Sequence, residues 1–248
     1  MANYQHILIG LPTMGGSMKT ATALSIVDTV RALEARGIRT DIHNVDSAEI
    51  VTARDMLANM VLHSDLWDAL LFIDSDMGFQ PELILKLAAA DAEVAAAACP
   101  RRQLDLVRFA NASREHGNVA KAIAQASDFT VNFSWKEMGP SEIPVEHGFV
   151  KAAAVGMAIA LIGKSALTAL VQAKLVERRR DLSSGTGAPC YSFFEITASR
   201  GSRLGEDYSF CYRWTAQLKR ELKVCVDEEV THIGFYPYKA RFADLSAG

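Results

Sequence analysis

Basic residues are in short supply in this 248-residue chain: 26 Lys and Arg stand against 29 Asp and Glu, a formal net charge of −3. No positive field is available to gather nucleic acid, and no basic stripe is interleaved with aromatics. Cysteine is sparse and scattered, at Cys99, Cys190, Cys211 and Cys225. Without a C-x-x-C pair or short-range zinc spacing, these read as reduced thiols of a cytoplasmic protein. Long apolar runs are lacking too. The stretch from Ala152 to Gly163 falls short of a membrane span. Ile7 to Leu11 is too short for a signal peptide and no basic n-region precedes it. Any membrane contact is expected to be peripheral. No internal repeat is present.

With half of its residues hydrophobic and 22% charged, the chain has ordinary globular composition. Ile7 to Pro12 has a buried-strand pattern, and Met18 to Arg36 carries helical periodicity through Leu24, Val27, Val30, Ala32 and Leu33. Gly37 suits the cap of that helix. A strand over Ile38 to Val45 and a helix over Ala48 to Leu62 follow. Leu70 to Ile73 predicts a third strand, Gln80-Pro81-Glu82 opens a helix, and Val94 to Cys99 reads as a strand. Three β-α units in succession predict a parallel sheet covered by helices. From Gln103 to Pro144 the pattern resolves only into short strands and loops. Val150 to Ile162 is apolar around Gly156, and Ser165 to Val176 predicts a helix. Arg178 to Pro189 reads as a mobile loop. A helix over Glu206 to Leu222, a strand over Lys223 to Val226 and a tail containing His232 end the pattern.

The segment Leu70-Leu71-Phe72-Ile73-Asp74-Ser75-Asp76-Met77 runs an apolar strand straight into two carboxylates two residues apart. In a strand, residues i and i+2 share a face, so Asp74 and Asp76 can address one point beyond the sheet. That point suits a hard divalent cation carrying a diphosphate. The plainer alternative is a turn or cap role. Glu206 and Asp207 stand at a helix start, where acids complement the dipole or where one of them serves as a general base. His232 could complete a metal site or be structural. Arg54 either reaches a diphosphate or lies on a solvated helix face, and Arg101 and Arg102 are open to the same two readings.

The order of Ile9-Gly10-Leu11-Pro12-Thr13, Ala53-Arg54-Asp55, the Asp74-Ser75-Asp76 motif, Ala98-Cys99-Pro100-Arg101-Arg102, Ala154-Val155-Gly156-Met157-Ala158, Gly205-Glu206-Asp207-Tyr208 and Thr231-His232-Ile233-Gly234 resembles that of small bacterial or phage-type glycosyltransferases of the GT-A fold. The likeness runs from about Ile7 to Tyr238. It implies an α/β nucleotide-diphospho-sugar transferase fold with a Rossmann-like mixed sheet flanked by helices. Residues 1–248 would form one GT-A domain, with a nucleotide-binding half over 1–102 and an acceptor-binding and catalytic half over 103–248.

Carried over, Asp76 is the principal ligand of Mn²⁺ or Mg²⁺ and His232 the distal one, while Asp74 faces the metal shell or the ribose. Pro12, Thr13, Arg54 and Ser75 border a UDP- or GDP-sugar, and Gly156 permits close approach near the donor sugar. Glu206 and Asp207 are the catalytic pair, with Asp207 as base for a glycan, lipid-linked or other hydroxyl acceptor and an inverting outcome. The chain departs from the family pattern at Asp55, where Asn is common, and this bears on base or ribose recognition. It departs again at Ala216-Gln217-Leu218-Lys219, where a glycine is usual. Rival readings are a nucleotidyltransferase, a non-catalytic sugar-nucleotide or glycan binder, and a P-loop NTPase. In the last case Gly15-Gly16-Ser17-Met18 displaces Lys19-Thr20 from Walker spacing.

Overall fold

The computed structural model describes residues 4–135, 144–180, 189–199 and 201–234. β1 (His6–Thr13) is buried along its whole length, as a strand covered by helices on both faces requires. α1 (Thr20–Glu34) and β2 (Arg39–Asp46) follow, joined through Gly37 at φ 76°, a left-handed conformation that suits glycine. α2 (Ile50–His63) leads to β3 (Ala69–Ile73), and the Asp74-Ser75-Asp76 turn passes into the short β4 (Met77–Phe79). Pro81 opens α3 (Pro81–Ala88), with Glu82 in its first turn, and β5 (Val94–Ala97) comes next.

Loops and short strands were expected over 103–144, but residues 106–126 are largely helical. β6 (Pro100–Leu104), α4 (Leu106–His116), α5 (Val119–Ala126) and β7 (Ser127–Phe129) form an arm in which β6 and β7 pair antiparallel. Caps define the two helices. Asp105 Oδ1 accepts from the Val107 and Arg108 N–H groups at 2.9 Å each, Gly117 turns left-handed, and Asn118 Oδ1 accepts from the Lys121 N–H at 3.0 Å. Only Ala112, Ala122 and Ala126 are fully buried in them, although Val119, Ala122, Ile123 and Ala126 fall on one helical face. Residues 136–143 of that stretch lie outside the described residues.

The chain continues through β8 (Val131–Asn132), β9 (Phe149–Lys151), β10 (Ala154–Val155), β11 (Ile159–Gly163) and α6 (Lys164–Gln172). Where a loop was expected, β12 (Glu177–Arg180) and β13 (Pro189–Ser192) pair as an antiparallel ribbon; its connection, 181–188, lies outside the described residues. β14 (Ala198–Ser199) and β15 (Ser202–Arg203) make a second small ribbon. α7 (Glu206–Cys211) runs directly into a π-helical segment, Tyr212–Gln217, so the expected single helix to Leu222 stops early. β16 (Lys223–Cys225) and β17 (Val230–His232) complete the order.

The central sheet has the order β2-β1-β3-β11-β5-β16-β9. β1 pairs parallel with β2 and β3, and β16 pairs parallel with β5, but β11 lies antiparallel between β3 and β5, and β9 is antiparallel to β16. The sheet is therefore mixed, as the family resemblance implies, and not purely parallel as the β-α succession suggests. Ile7, Ile9, Leu71 and Leu161 pack toward Ile26 and Leu33 of α1 and Leu83 of α3. The alternate residues Leu8, Leu70, Phe72 and Ile162 face Leu57 of α2, Leu167 of α6 and Phe210 of α7. The result is the α/β, Rossmann-like mixed sheet flanked by helices. The carboxyl ends of β1 and β3 open beside the D-x-D turn, where such sheets place ligands.

Candidate functional site

β3 ends at Ile73, so Asp74 and Asp76 occupy a turn and lose the shared face that an extended strand would give them. The Met77 N–H donates to the Asp74 carbonyl at 3.3 Å. The two carboxylates go separate ways. Asp74 turns inward to Arg54, whose Nη2 lies 3.3 Å from Oδ1 and 3.4 Å from Oδ2. Asp76 turns outward, where its Oδ2 meets Arg102 Nη1 at 3.0 Å and His232 Nε2 at 3.4 Å.

Arg54 is only 2% exposed, so it does not lie on a solvated helix face. Its Nη1 donates to the Met157 carbonyl at 2.9 Å, and its guanidinium carbon sits 5.2 Å from the Phe72 ring centroid and 5.9 Å from that of Phe194. Nη2 also stands 3.4 Å from Asp207 Oδ1, an ion pair outside hydrogen-bond geometry. One buried cation thus draws together the end of β3 and the start of α7. Burial pushes Asp74 up to about 6, Arg54 opposing and the charges of Asp207 and Asp76 adding to the rise.

Asp207 is further held by the Met157 N–H, which donates to Oδ2 at 3.0 Å. Glu206, its neighbour, is held above the usual carboxylate range by burial and by the charge of Asp207. Gly156 sits against this pair: its N–H donates to the Thr130 carbonyl at 2.9 Å, and a Cβ there would lie 3.2 Å from Thr130 Cγ2 and 3.7 Å from Asp207 Oδ2. A side chain at Gly156 would therefore crowd Thr130 and approach the Asp207 carboxylate.

His232 reaches the D-x-D turn through a short antiparallel ribbon, in which β17 pairs with β4 and sets His232 opposite Met77. The Ile233 N–H then donates to the Asp76 carbonyl at 2.8 Å. His232 Nδ1 is 2.8 Å from the Pro100 carbonyl, an acceptor, so that nitrogen carries the proton and Nε2 is directed at Asp76. The hydrogen bond to Asp76 raises the His232 pKa, with burial opposing. Asp76 is correspondingly lowered: burial works against its charge, but the bond to His232 and the charges of His232 and Arg102 outweigh it.

Once His232 is neutral, Nε2 and Asp76 Oδ2 present two lone pairs 3.4 Å apart, and a metal ion bound there would replace the Nε2 proton and compete with Arg102, which stands 3.0 Å from the same oxygen. Among the described residues, no three His, Cys, Asp or Glu side chains gather closely enough to hold a metal by themselves. One carboxylate oxygen and one imidazole nitrogen fit a transition-metal ion such as Mn²⁺ better than Mg²⁺, with waters or substrate phosphates left to supply the remaining ligands.

Pro12 and Thr13 close β1 and are buried. The Thr13 hydroxyl donates to Asn44 Oδ1 at 2.7 Å, and Asp46 Oδ1 accepts the Gly16 N–H at 3.1 Å, so the β1–α1 loop is tied to the end of β2. The Ser75 carbonyl accepts the Lys19 N–H at 2.8 Å and the Thr22 hydroxyl at 3.1 Å, fixing the start of α1 to the D-x-D turn. That use of the Lys19 N–H leaves it turned away from a Walker-type cradle. Asp55 is directed elsewhere: its Oδ1 accepts the Phe194 N–H at 2.8 Å. Sequence reasoning missed Met157 and Thr130, which act through backbone atoms and leave no side-chain signature.

No protein-family model and no curated protein matches the chain. Among the solved structures similar to it is the crystal structure of A197 from STIV, at 14% identity and a TM-score of 0.47, covering 93% of this chain and 86% of that one. Another is the crystal structure of GalNAc-T7 with UDP, GalNAc and Mn²⁺, at 11% identity and a TM-score of 0.48. It covers 93% of this chain, which in turn spans 44% of that longer one. With scores this low, function is read from the side chains at the carboxyl end of the sheet.

Proposed function

We propose that the chain is a metal-dependent glycosyltransferase of the GT-A type, moving a sugar from a UDP- or GDP-sugar to an acceptor hydroxyl. The observation that carries this reading is the meeting, at the carboxyl ends of the sheet, of an outward donor pair, Asp76 and His232, with an inward carboxylate set, Asp74 and Asp207, gripped by buried Arg54. Asp76 and His232 would hold Mn²⁺ or Mg²⁺, which neutralises a leaving diphosphate. Arg102, on the same Asp76 oxygen, is placed to exchange that carboxylate for a phosphate of the donor. Pro12, Thr13 and Ser75 form the floor beneath the nucleotide, and Arg54 acts from within by fixing Asp74 and Asp207.

Asp207 takes the proton from the acceptor hydroxyl as that oxygen attacks the anomeric carbon. The bond to the nucleoside diphosphate breaks and configuration inverts. The Met157 N–H holds one Asp207 oxygen in place, which aims the carboxylate before the acceptor arrives. Glu206, beside it, is held above the usual carboxylate range by burial and by the Asp207 charge, so the pair tends to carry one negative charge between them.

Thermal unfolding with UDP, GDP, CMP and ATP, each with and without Mn²⁺, tests the reading, because a ligand of the folded state raises stability with occupancy. A Mn²⁺-dependent shift with one nucleoside diphosphate, abolished in Asp76→Ala, is expected. A shift with ATP alone, or none with any diphosphate, overturns it. Pyrophosphate among the products would assign nucleotidyl transfer instead.

A further inference from the structure

A cavity of ≈ 690 Å³ opens beside the helix that carries Glu206 and Asp207, walled in part by Phe133, Trp135, Tyr212, Thr215, Ala216 and Lys219. Tyr212, Thr215 and Ala216 belong to the π-helical segment, a rare geometry that recurs at functional sites. Trp135 is fixed in place. Its Nε1 donates to Thr215 Oγ1 at 2.8 Å, and its ring meets Tyr212 edge-on with centroids 5.1 Å apart and Tyr208 at 6.5 Å. The Thr215 hydroxyl in turn has the carbonyls of Ala153 and Cys211 within 2.8 and 2.9 Å. The aromatic wall is thus set before any ligand binds.

Rigid aromatic faces beside polar side chains, here Ser199 and Lys219 on the cavity wall, suit a ligand that is apolar on its flat face and hydroxylated around its edge. A pyranose ring has that chemistry. Tyr208 follows Asp207 in sequence and touches the Trp135 ring. Tyr212 lies five residues beyond Asp207, about 7 Å along a helix axis. Thr215 and Ala216, eight and nine residues beyond Asp207, carry the cavity wall roughly 11–13 Å along the axis from it, farther than one sugar spans. We propose that the cavity binds an inner sugar of an oligosaccharide acceptor, stacked on Trp135 with the perpendicular Tyr212 ring at its edge, while the terminal sugar presents its hydroxyl to Asp207. The acceptor role rests on the transferase reading; the sugar site rests on the cavity alone.

The test starts with the full chain on a glycan array, followed by calorimetric titration of the tightest-binding oligosaccharide and of its terminal monosaccharide. Binding that needs two or more linked sugars, and that weakens about tenfold in both Trp135→Ala and Ala216→Phe, is the expected result. Ala216→Phe fills the cavity without removing the Trp135 hydrogen bond, so it decides the matter should Trp135→Ala fail to fold. Absence of any glycan binding, equal affinity for the monosaccharide, or binding unchanged in Ala216→Phe overturns the proposal. Thermal shifts with nucleotide and Mn²⁺ are run on the same variants. Oligosaccharide binding without any nucleotide response keeps the sugar site and removes the transferase reading, and the converse removes the sugar site alone.

Discussion

Arg54 is the residue on which the inner half of the site depends. Buried between Phe72 and Phe194, it answers two carboxylates and a backbone carbonyl. Arg54→Met leaves Asp74 and Asp207 facing each other without a cation, and removing one partner of a buried ion pair costs about 3–5 kcal/mol. Urea unfolding of this variant is expected to show a loss of that size, partly recovered when Asp74→Asn is added. Asp55, next along the helix, carries a second prediction. Burial pushes it up to about 7 from 3.8, against the backbone N–H bonds of Phe194 and Phe193. The folded state therefore holds this proton more tightly than the unfolded chain. Its contribution is most favourable below about pH 4 and is lost as pH rises toward about 7. Asp55→Asn keeps an acceptor for the Phe194 N–H and removes the charge. It should flatten that part of the stability profile and gain about 1–2 kcal/mol at pH 8, the full shift being discounted for partial exposure. A denaturant series across pH checks this, and an unchanged slope would assign the dependence to other groups such as Asp74.

At the scale of elements, α2 is tied to the β12–β13 ribbon by more than apolar packing. Asn59 Nδ2 donates to the Asp55 carbonyl at 2.7 Å and the Tyr191 carbonyl at 2.8 Å, while its Oδ1 accepts the Tyr191 N–H at 2.8 Å. Asn59→Ala strands both backbone groups of Tyr191, at a cost of about 2–3 kcal/mol. Hydrogen exchange at the Tyr191 N–H should accelerate in this variant while β1 and β3 stay protected. Elements whose residues bury a long apolar run, such as β1 and β3, were legible in sequence because burial on both faces leaves no other composition. The α4–α5 pair was not, although its caps, Asp105 and Gly117-Asn118, stand plainly in the chain. Each helix is only two to three turns long, and its apolar face, Leu106-Phe109-Ala110 or Val119-Ala122-Ile123-Ala126, is too short to stand out between the flanking β6 and β7 segments. The π-helical turn after Cys211 was equally silent, since the Tyr212–Gln217 sequence fits an α-helix as readily.

For the whole molecule, the sheet is interleaved: β11 from the second half fills the space between β3 and β5 of the first. A fragment of residues 1–102 lacks that strand and would expose the edges of β3 and β5. It is expected to show no cooperative unfolding transition by circular dichroism, and a cooperative one would mean that the first half holds together without β11. The sequence by itself determined the alternation of buried strands and helices, the α/β class, and the presence of an acidic turn at a strand end. Each of these is written in neighbouring residues, through apolar runs, caps and spacing. Only the tertiary structure decided that β11 runs antiparallel, that Asp74 turns to Arg54 while Asp76 turns to His232, and that Met157 steadies Asp207. These contacts join residues that lie 20 to 156 positions apart in the chain. Local pattern carries no information on which of many carboxylates a buried guanidinium will meet, because that is set by how the layers pack.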